Sequence, residues 1–145
     1  MDAIVPVHTK HGVVKVQLDR LEHQRARWQR IALEAAQQSE RWTVPTIEEP
    51  TDLASMFQRY ASVHTKCILA ERSNGIALTA LPLPTGSDQS LVVLIGPEGG
   101  WNAEELRLTQ EQGYQALTLG TRILRAETAA IAAISIVQSR LGELG

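Results

Sequence analysis

The sequence predicts an α/β fold with a mainly parallel sheet, and three observations carry that reading. Apolar runs of strand length alternate with helical periods along the chain. Leu91-Val92-Val93-Leu94-Ile95 is five apolar residues without alternation, the pattern of a central parallel strand covered on both faces. Two glycine-bearing segments, Gly96–Gly100 and Gly120–Arg125, each follow such a run, where an α/β sheet presents its ligand-binding edge. The 145 residues suffice for one domain with a true core, and an aromatic content of 4% makes that core aliphatic.

The elements follow in order. Ala3 to Val7 reads as a strand, and Val13 to Leu18 as a second, edge-like one. Asp19, with Glu22 three residues on, has the form of a capping box. Leu21, Trp28, Ile31, Ala32, Ala35 and Ala36 then keep the helical period, which predicts a helix over 20–39. Two prolines between Trp42 and Pro50 end it. Thr51 to Tyr60 suggests a short helix with Leu53, Met56, Phe57 and Tyr60 on one face. Cys67 to Ala70 is a buried-type strand, Ser73-Asn74-Gly75 a turn, Ile76 to Leu81 a further strand, and Pro82 to Ser90 a loop. After the run at 91–95, Asn102 caps a helix with Glu105 at the reciprocal position, and Gly113 stops it. Ala116 to Leu119 is the next strand, closed by Gly120. A last helix runs over 127–141, stopped by Gly142. It is apolar around its circumference, which predicts burial and a subunit interface.

Composition narrows the function classes. No apolar run is long enough to span a membrane, and the N-terminus lacks the basic-then-apolar pattern of a secretion signal. The single cysteine, Cys67, supports neither an internal disulfide nor a metal cluster, in keeping with a reducing cytoplasm. His8, His11, His23 and His64 show no metal-ligand spacing, so no metal is expected. A net charge of −2 counts against a stand-alone RNA binder. Residues 20–41 nevertheless hold five arginines against three glutamates, which leaves room for a local basic face.

The two loops are the places for chemistry. Glycines let the backbone approach a ligand closely, and the helix beginning near Asn102 points its free N–H groups toward the first loop. A plain tight turn explains the first loop equally well, since it matches neither a P-loop nor a dinucleotide fingerprint. In the second loop, Ile123 and Leu124 are apolar residues between two arginines, as if covering an apolar ligand. Glu127 is explained at least as well by the positive end of the helix as by catalysis. Trp28 and Trp42 read as packing residues, and Trp101 as a cover for the helix start, with base stacking left open.

The stretches Leu94-Ile95-Gly96-Pro97-Glu98-Gly99-Gly100-Trp101 and Leu119-Gly120-Thr121-Arg122-Ile123-Leu124-Arg125-Ala126-Glu127-Thr128-Ala129 together resemble the paired signature of the RsmE family. These are SPOUT-class methyltransferases acting on N3 of a uridine in small-subunit (16S) ribosomal RNA. Ile4-Val5-Pro6-Val7, Arg27-Trp28-Gln29-Arg30-Ile31, Glu34 to Ser39 and Val44-Pro45 are also similar to that family, so the resemblance spans nearly the whole chain. It implies a single methyltransferase domain over 1–145 with a deep trefoil knot and S-adenosylmethionine as cofactor. Leu69, Leu94, Ile95, Gly96, Gly100, Leu119, Gly120, Ile123, Leu124 and Arg125 are then the cofactor-binding residues. It further implies a cytoplasmic homodimer joined through the last helix, with small-subunit rRNA or the assembled 30S particle as partner. Two departures stand out. The family's N-terminal RNA-binding domain of the PUA type is not in this sequence, and the family's Thr-Glu-Arg-Ser is here Thr9-Lys10-His11-Gly12.

Methyl transfer to uridine N3 is an in-line displacement that also removes a proton. Arg125 is the candidate stabiliser of negative charge on the uracil. Glu98 can take a proton or brace its own loop, and bracing is the favoured role. Arg122 and Arg41 are candidate RNA-phosphate contacts, or solvated surface cations. The alternatives to an active enzyme are a dimeric, cofactor-binding domain without transfer to rRNA, and a SPOUT enzyme acting on another RNA.

Overall fold

The structure, a computed structural model, describes residues 1–12, 18–70, 75–86 and 88–144, with the backbone alone at 18–20. The chain divides into two units. One comprises Met1–Thr9 and Val13–Met56, the other Lys10–Gly12 and Phe57–Gly145.

The N-terminal unit pairs β1 (Ala3–Ile4) with β3 (Thr46–Ile47) and β2 (Val7–His8) with β4 (Thr51–Asp52), both in parallel. The single strand expected over 3–7 is therefore two. Pro6 interrupts it and Pro50 interrupts its partner, because neither residue can donate to a ladder. α1 (Leu18–Gln38) starts one residue before Asp19, so Asp19 lies within the helix and is not its cap. Leu18, expected to end a strand, opens that helix; the rest of that expected strand, 13–17, lies outside the described residues, as do Ser73 and Asn74 of the expected turn. The side chain of Gln29 fastens β3 to α1. It donates to Pro45 O at 3.2 Å and accepts from Ile47 N at 3.1 Å. Arg25, counted above toward a basic face, instead donates to Ile47 O at 3.0 Å and pairs with Glu49 at 3.1 Å.

α1 ends in a Schellman motif: Glu40 N bonds to Gln37 O at 3.2 Å and Arg41 N to Ala36 O at 2.9 Å. Glu40 takes the left-handed position usual for glycine, with φ 53°. The turn directs Arg41 into the apolar groove that Trp28, Pro45 and Ile47 line. Trp42 is left wholly exposed at 101%, so it is not the packing residue the sequence suggested, whereas Trp28 is half-buried.

In the C-terminal unit four strands form a fully parallel sheet. β5 is Thr65–Leu69, β6 Ile76–Ala77, β7 Leu91–Leu94 and β8 Gln115–Thr118, in the order β6-β8-β5-β7. The apolar run at 91–95 is thus an edge strand of this sheet, not a central one. Leu91, Val93 and Ile95 pack on the core cluster, while β5 between its neighbours is the strand that is buried through. The strand expected over 76–81 stops at Ala77 and becomes a 3₁₀ turn, Leu78–Ala80. Its carbonyls are not free for a ladder. Leu78 O accepts from Leu81 N at 3.2 Å and from Arg140 Nη1 at 2.9 Å, and Leu81 O accepts from Arg140 Nη2 at 2.7 Å.

α2 (Leu53–Arg59) carries Met56 and Phe57 inward, as its spacing predicts. α3 (Ala103–Glu111) begins with the expected capping box: Glu105 N to Asn102 Oδ1 and Asn102 N to Glu105 Oε2, both at 2.9 Å. Gly113 (φ 80°) and Gly142 (φ 76°) follow the C-caps of α3 and of α4 (Ala126–Arg140). α4 buries one stripe, Ala129, Ala133 and Val137, against Cys67, Leu69, Leu78 and Leu117. Burial all round is not realised within the chain, since Ile131 on α4 is 69% exposed.

Two predictions follow from this packing. A non-glycine residue in the left-handed region costs about 1–2 kcal/mol, partly offset by glycine's larger unfolded entropy. Glu40→Gly is therefore expected to stabilise the chain by about 0.5–1 kcal/mol, read from denaturant midpoints at unchanged slope. Burial pushes the Cys67 thiol up from 9.0 to about 12, and burial first, then the nearby Cys67 and Tyr60, pushes Tyr114 from 10.0 to about 12. Between pH 9 and 12 the unfolded chain then holds fewer protons than the native one. Stability that is full below pH 9 is expected to fall as pH rises through that window, and Cys67→Ala to flatten the fall.

Candidate functional site

Because β7 and β8 flank β5 in parallel, the chain leaves all three strands at one edge of the sheet. Leu69 and Ala70 end β5, the segment Ile95–Trp101 leaves β7, and Leu119–Arg125 leaves β8 toward α4. These segments close around one cavity of about 1030 Å³. That is the upper end of the range for small-molecule sites, about 300–1,000 Å³. A smaller groove of about 540 Å³ in the N-terminal unit is lined almost wholly by apolar side chains. The wide cavity mixes apolar walls with backbone polar groups and charges at its rim, which suits a ligand that must be oriented as well as held.

The first loop is held by Trp101. Its indole Nε1 donates to Leu69 O at 3.0 Å, tying the loop after β7 to the end of β5. A Cβ on Gly96 would lie 2.9 Å from that nitrogen and 3.2 Å from two ring carbons. Glycine is needed at 96 because the ring already fills its side-chain space. Gly100 N bonds to Pro97 O at 2.9 Å and closes the turn. Glu98 sits exposed on that turn, and among the described residues its carboxylate makes no hydrogen bond, so the bracing role favoured above is not what holds the loop.

The second loop is held by Thr118. Its hydroxyl donates to Gly120 O at 2.8 Å and accepts from Gly120 N at 3.1 Å, wrapping a residue whose φ of 123° only glycine adopts without strain. Leu124 packs on the core cluster, whereas Ile123 is 55% exposed. Arg125 is exposed at the N-cap of α4, where its carbonyl accepts from Ala129 N at 2.8 Å.

Of the residues singled out from sequence, Leu69, Ile95, Gly96, Glu98, Gly100, Leu119, Gly120, Arg122, Ile123, Leu124 and Arg125 all line this cavity. Leu94 does not. It is buried one residue before the loop, on the strand face opposite Val93 and Ile95. Arg41 belongs to the N-terminal unit and lines its groove. Sequence reasoning missed Leu106, Leu117 and Thr118 as lining residues. Leu117 and Thr118 end the strand that was read correctly, and strand ends were a usable signal. Leu106 reaches the cavity from α3, which no local pattern reveals. Among the described residues, no group of three or more His, Cys, Asp or Glu side chains is placed to hold a metal.

The family model described as RNA methyltransferase domain matches residues 1–138. The chain belongs to this family. Relatives named ribosomal RNA small subunit methyltransferase E include that of Synechocystis sp., 35% identical over 96% of this chain and 45% of the relative. That of Bacillus subtilis is 36% identical over 93% of this chain and 54% of its own length. The Neisseria gonorrhoeae enzyme of that name, solved bound to S-adenosyl methionine, superposes with a TM-score of 0.85 at 36% identity, covering 95% of this chain and 55% of that one. A Legionella pneumophila protein in complex with the bound cofactor SAM gives 0.87 at 33%, over 96% and 55%. This RNA methyltransferase domain thus spans about half the length of the relatives it matches.

Gly96→Ala in this domain drives a methyl group into the Trp101 ring. The expected outcome is a destabilisation of about 1–3 kcal/mol, with the Trp101–Leu69 bond broken. Denaturant unfolding followed by tryptophan emission measures it, and wild-type stability would show that the indole moves aside freely.

Proposed function

We propose that this chain is the catalytic domain of an S-adenosylmethionine-dependent RNA methyltransferase that methylates N3 of a uridine in small-subunit rRNA. The observation that carries the reading is the closure of the two glycine-bearing loops around one cavity at the strand ends. The names and bound cofactors of the relatives support it.

The cavity suits the cofactor. Leu69, Ile95, Leu119 and Leu124 offer apolar surface for an adenine ring and a methionine chain, and the two loops offer backbone N–H and C=O groups. S-adenosylmethionine, when bound, supplies a methyl group activated on a sulfonium. The protein's part is to align the uridine with that methyl. Arg125 at the rim stabilises negative charge on the uracil as N3 loses its proton, and Glu98, exposed and unpaired among the described residues, is free to receive it. Arg122 at the same rim meets RNA phosphate, with Arg41 a second such contact.

The finer features belong to the same proposal. The cofactor-binding set is Leu69, Ile95, Gly96, Gly100, Leu119, Gly120, Ile123, Leu124 and Arg125, in a single domain whose loops form a deep trefoil knot. Two copies join through α4, whose outer apolar face, Ile131 included, is then covered. The substrate is small-subunit rRNA, free or in the 30S particle, in the cytoplasm. No described helix is long and apolar enough to cross a membrane.

Calorimetry with S-adenosylmethionine, followed by transfer of labelled methyl to unmodified small-subunit rRNA, tests the proposal. Heat with transfer supports it. Heat without transfer favours a cofactor-binding domain lacking activity on rRNA, and absence of heat ends it. Arg125→Ala is expected to lower transfer by about 10²–10³-fold with the dimer retained by sedimentation. Undiminished transfer would remove Arg125 from the mechanism.

A further inference from the structure

Lys10–Gly12 groups with the C-terminal unit, far from it in sequence. Three observations place it against the first loop and the start of α3. The Lys10 backbone N–H donates to Glu105 Oε1 at 2.8 Å, while the other oxygen of that carboxylate holds the Asn102 N–H at 2.9 Å. His11 Nδ1 lies 3.2 Å from Gly100 O. A carbonyl oxygen only accepts, so the proton sits on Nδ1 and the imidazole donates. His11 Cβ stands 2.8 Å from where a Cβ on Gly99 would be.

We propose that His11 is a positioning residue for the methyl-donor loop: its Nδ1–H pins the Gly100 carbonyl and thereby pre-orders Gly96–Gly100 for the cofactor. The inference rests on the reading that this loop holds S-adenosylmethionine. Three of its five residues are glycine, and each residue ordered on binding loses about 1–2 kcal/mol of backbone freedom. Gly100 (φ 69°) is the freest of them, with nothing within 4 Å of its side-chain space. Its N–H is bonded within the loop, to Pro97. Its C=O is held from outside, by His11. With both polar groups fixed, the loop meets its ligand already in place, and affinity rises by the ordering that binding no longer has to supply. The Lys10 bond to Glu105 sets where the imidazole stands, because it fixes the preceding residue to the start of α3.

The test separates the ring from the rest of the residue. His11→Ala keeps the Cβ and its packing on Gly99 and deletes only the imidazole. His11→Asn returns an N–H donor near the position of Nδ1. Titration calorimetry with S-adenosylmethionine is expected to show affinity about 3–10-fold weaker in His11→Ala, largely recovered in His11→Asn. The unfolding midpoint and the KM for rRNA stay at wild-type values while the KM for the donor rises. Gly99→Ala, which pushes on His11 Cβ, weakens binding, and added to His11→Gly it weakens binding no further, because the contact it offends is gone. Wild-type affinity in His11→Ala, or His11→Asn no better than His11→Ala, overturns the role of His11 alone. A wild-type protein that gives no heat overturns the cofactor reading and this inference with it.

Discussion

The site exists because β5 has β7 on one side and β8 on the other, with all three strands running the same way. Parallel neighbours release their chains at a common edge, so two loops separated by a helix and a strand in sequence meet over the end of the strand between them. The ladder that fixes this is short: Thr65 to Ile68 against Leu91 to Leu94, and Cys67 to Leu69 against Gln115 to Leu117. β5 is buried on both faces where it contributes Cys67, Ile68 and Leu69 to the interior, as a strand between two parallel neighbours must be.

On that frame, each loop is fastened by one side chain acting on backbone. The indole of Trp101 reaches across to the end of β5, and the hydroxyl of Thr118 folds the chain around Gly120. Both devices use glycine in different senses. Gly96 makes room for a ring, while Gly120 supplies a backbone angle. α4 anchors the other end. Its Ala129, Ala133 and Val137 stripe packs beneath the loops, and Arg140 in its last turn holds the carbonyls of Leu78 and Leu81. The rim that carries Arg125 is therefore continuous with a helix held by its buried stripe and by Arg140 at its far end.

The sequence made the α/β class, the helices and the two loops legible because those features are written locally. The Asn102–Glu105 box, the glycines after α3 and α4 and the paired loop motifs each lie within a dozen residues. What it hid was set by tertiary neighbours. Whether an apolar run is central or at an edge depends on which strands flank it, so Leu91 to Ile95 was misplaced. Carbonyls claimed by Arg140 from about sixty residues away turned an apparent strand at 78–81 into a 3₁₀ turn. Trp42 was misjudged for the same reason, since it stands wholly exposed, and the pairing of Arg25 with the distant Glu49 was equally out of sight. Among the cavity residues, those on the two motifs were readable, Leu94 faced the wrong way, and nothing local marked Leu106 on α3 as facing the cavity.

Cys67 has a practical bearing beyond packing. It is the chain's only thiol, it is fully buried, and its Sγ donates to Val92 O at 3.4 Å. Reagents need the exposed thiolate, which this environment withholds. A spectroscopic label directed at a new cysteine on either loop would therefore attach at that place alone, with the native residue left where it is. Loop motions could be followed in a domain that needed no prior cysteine removal.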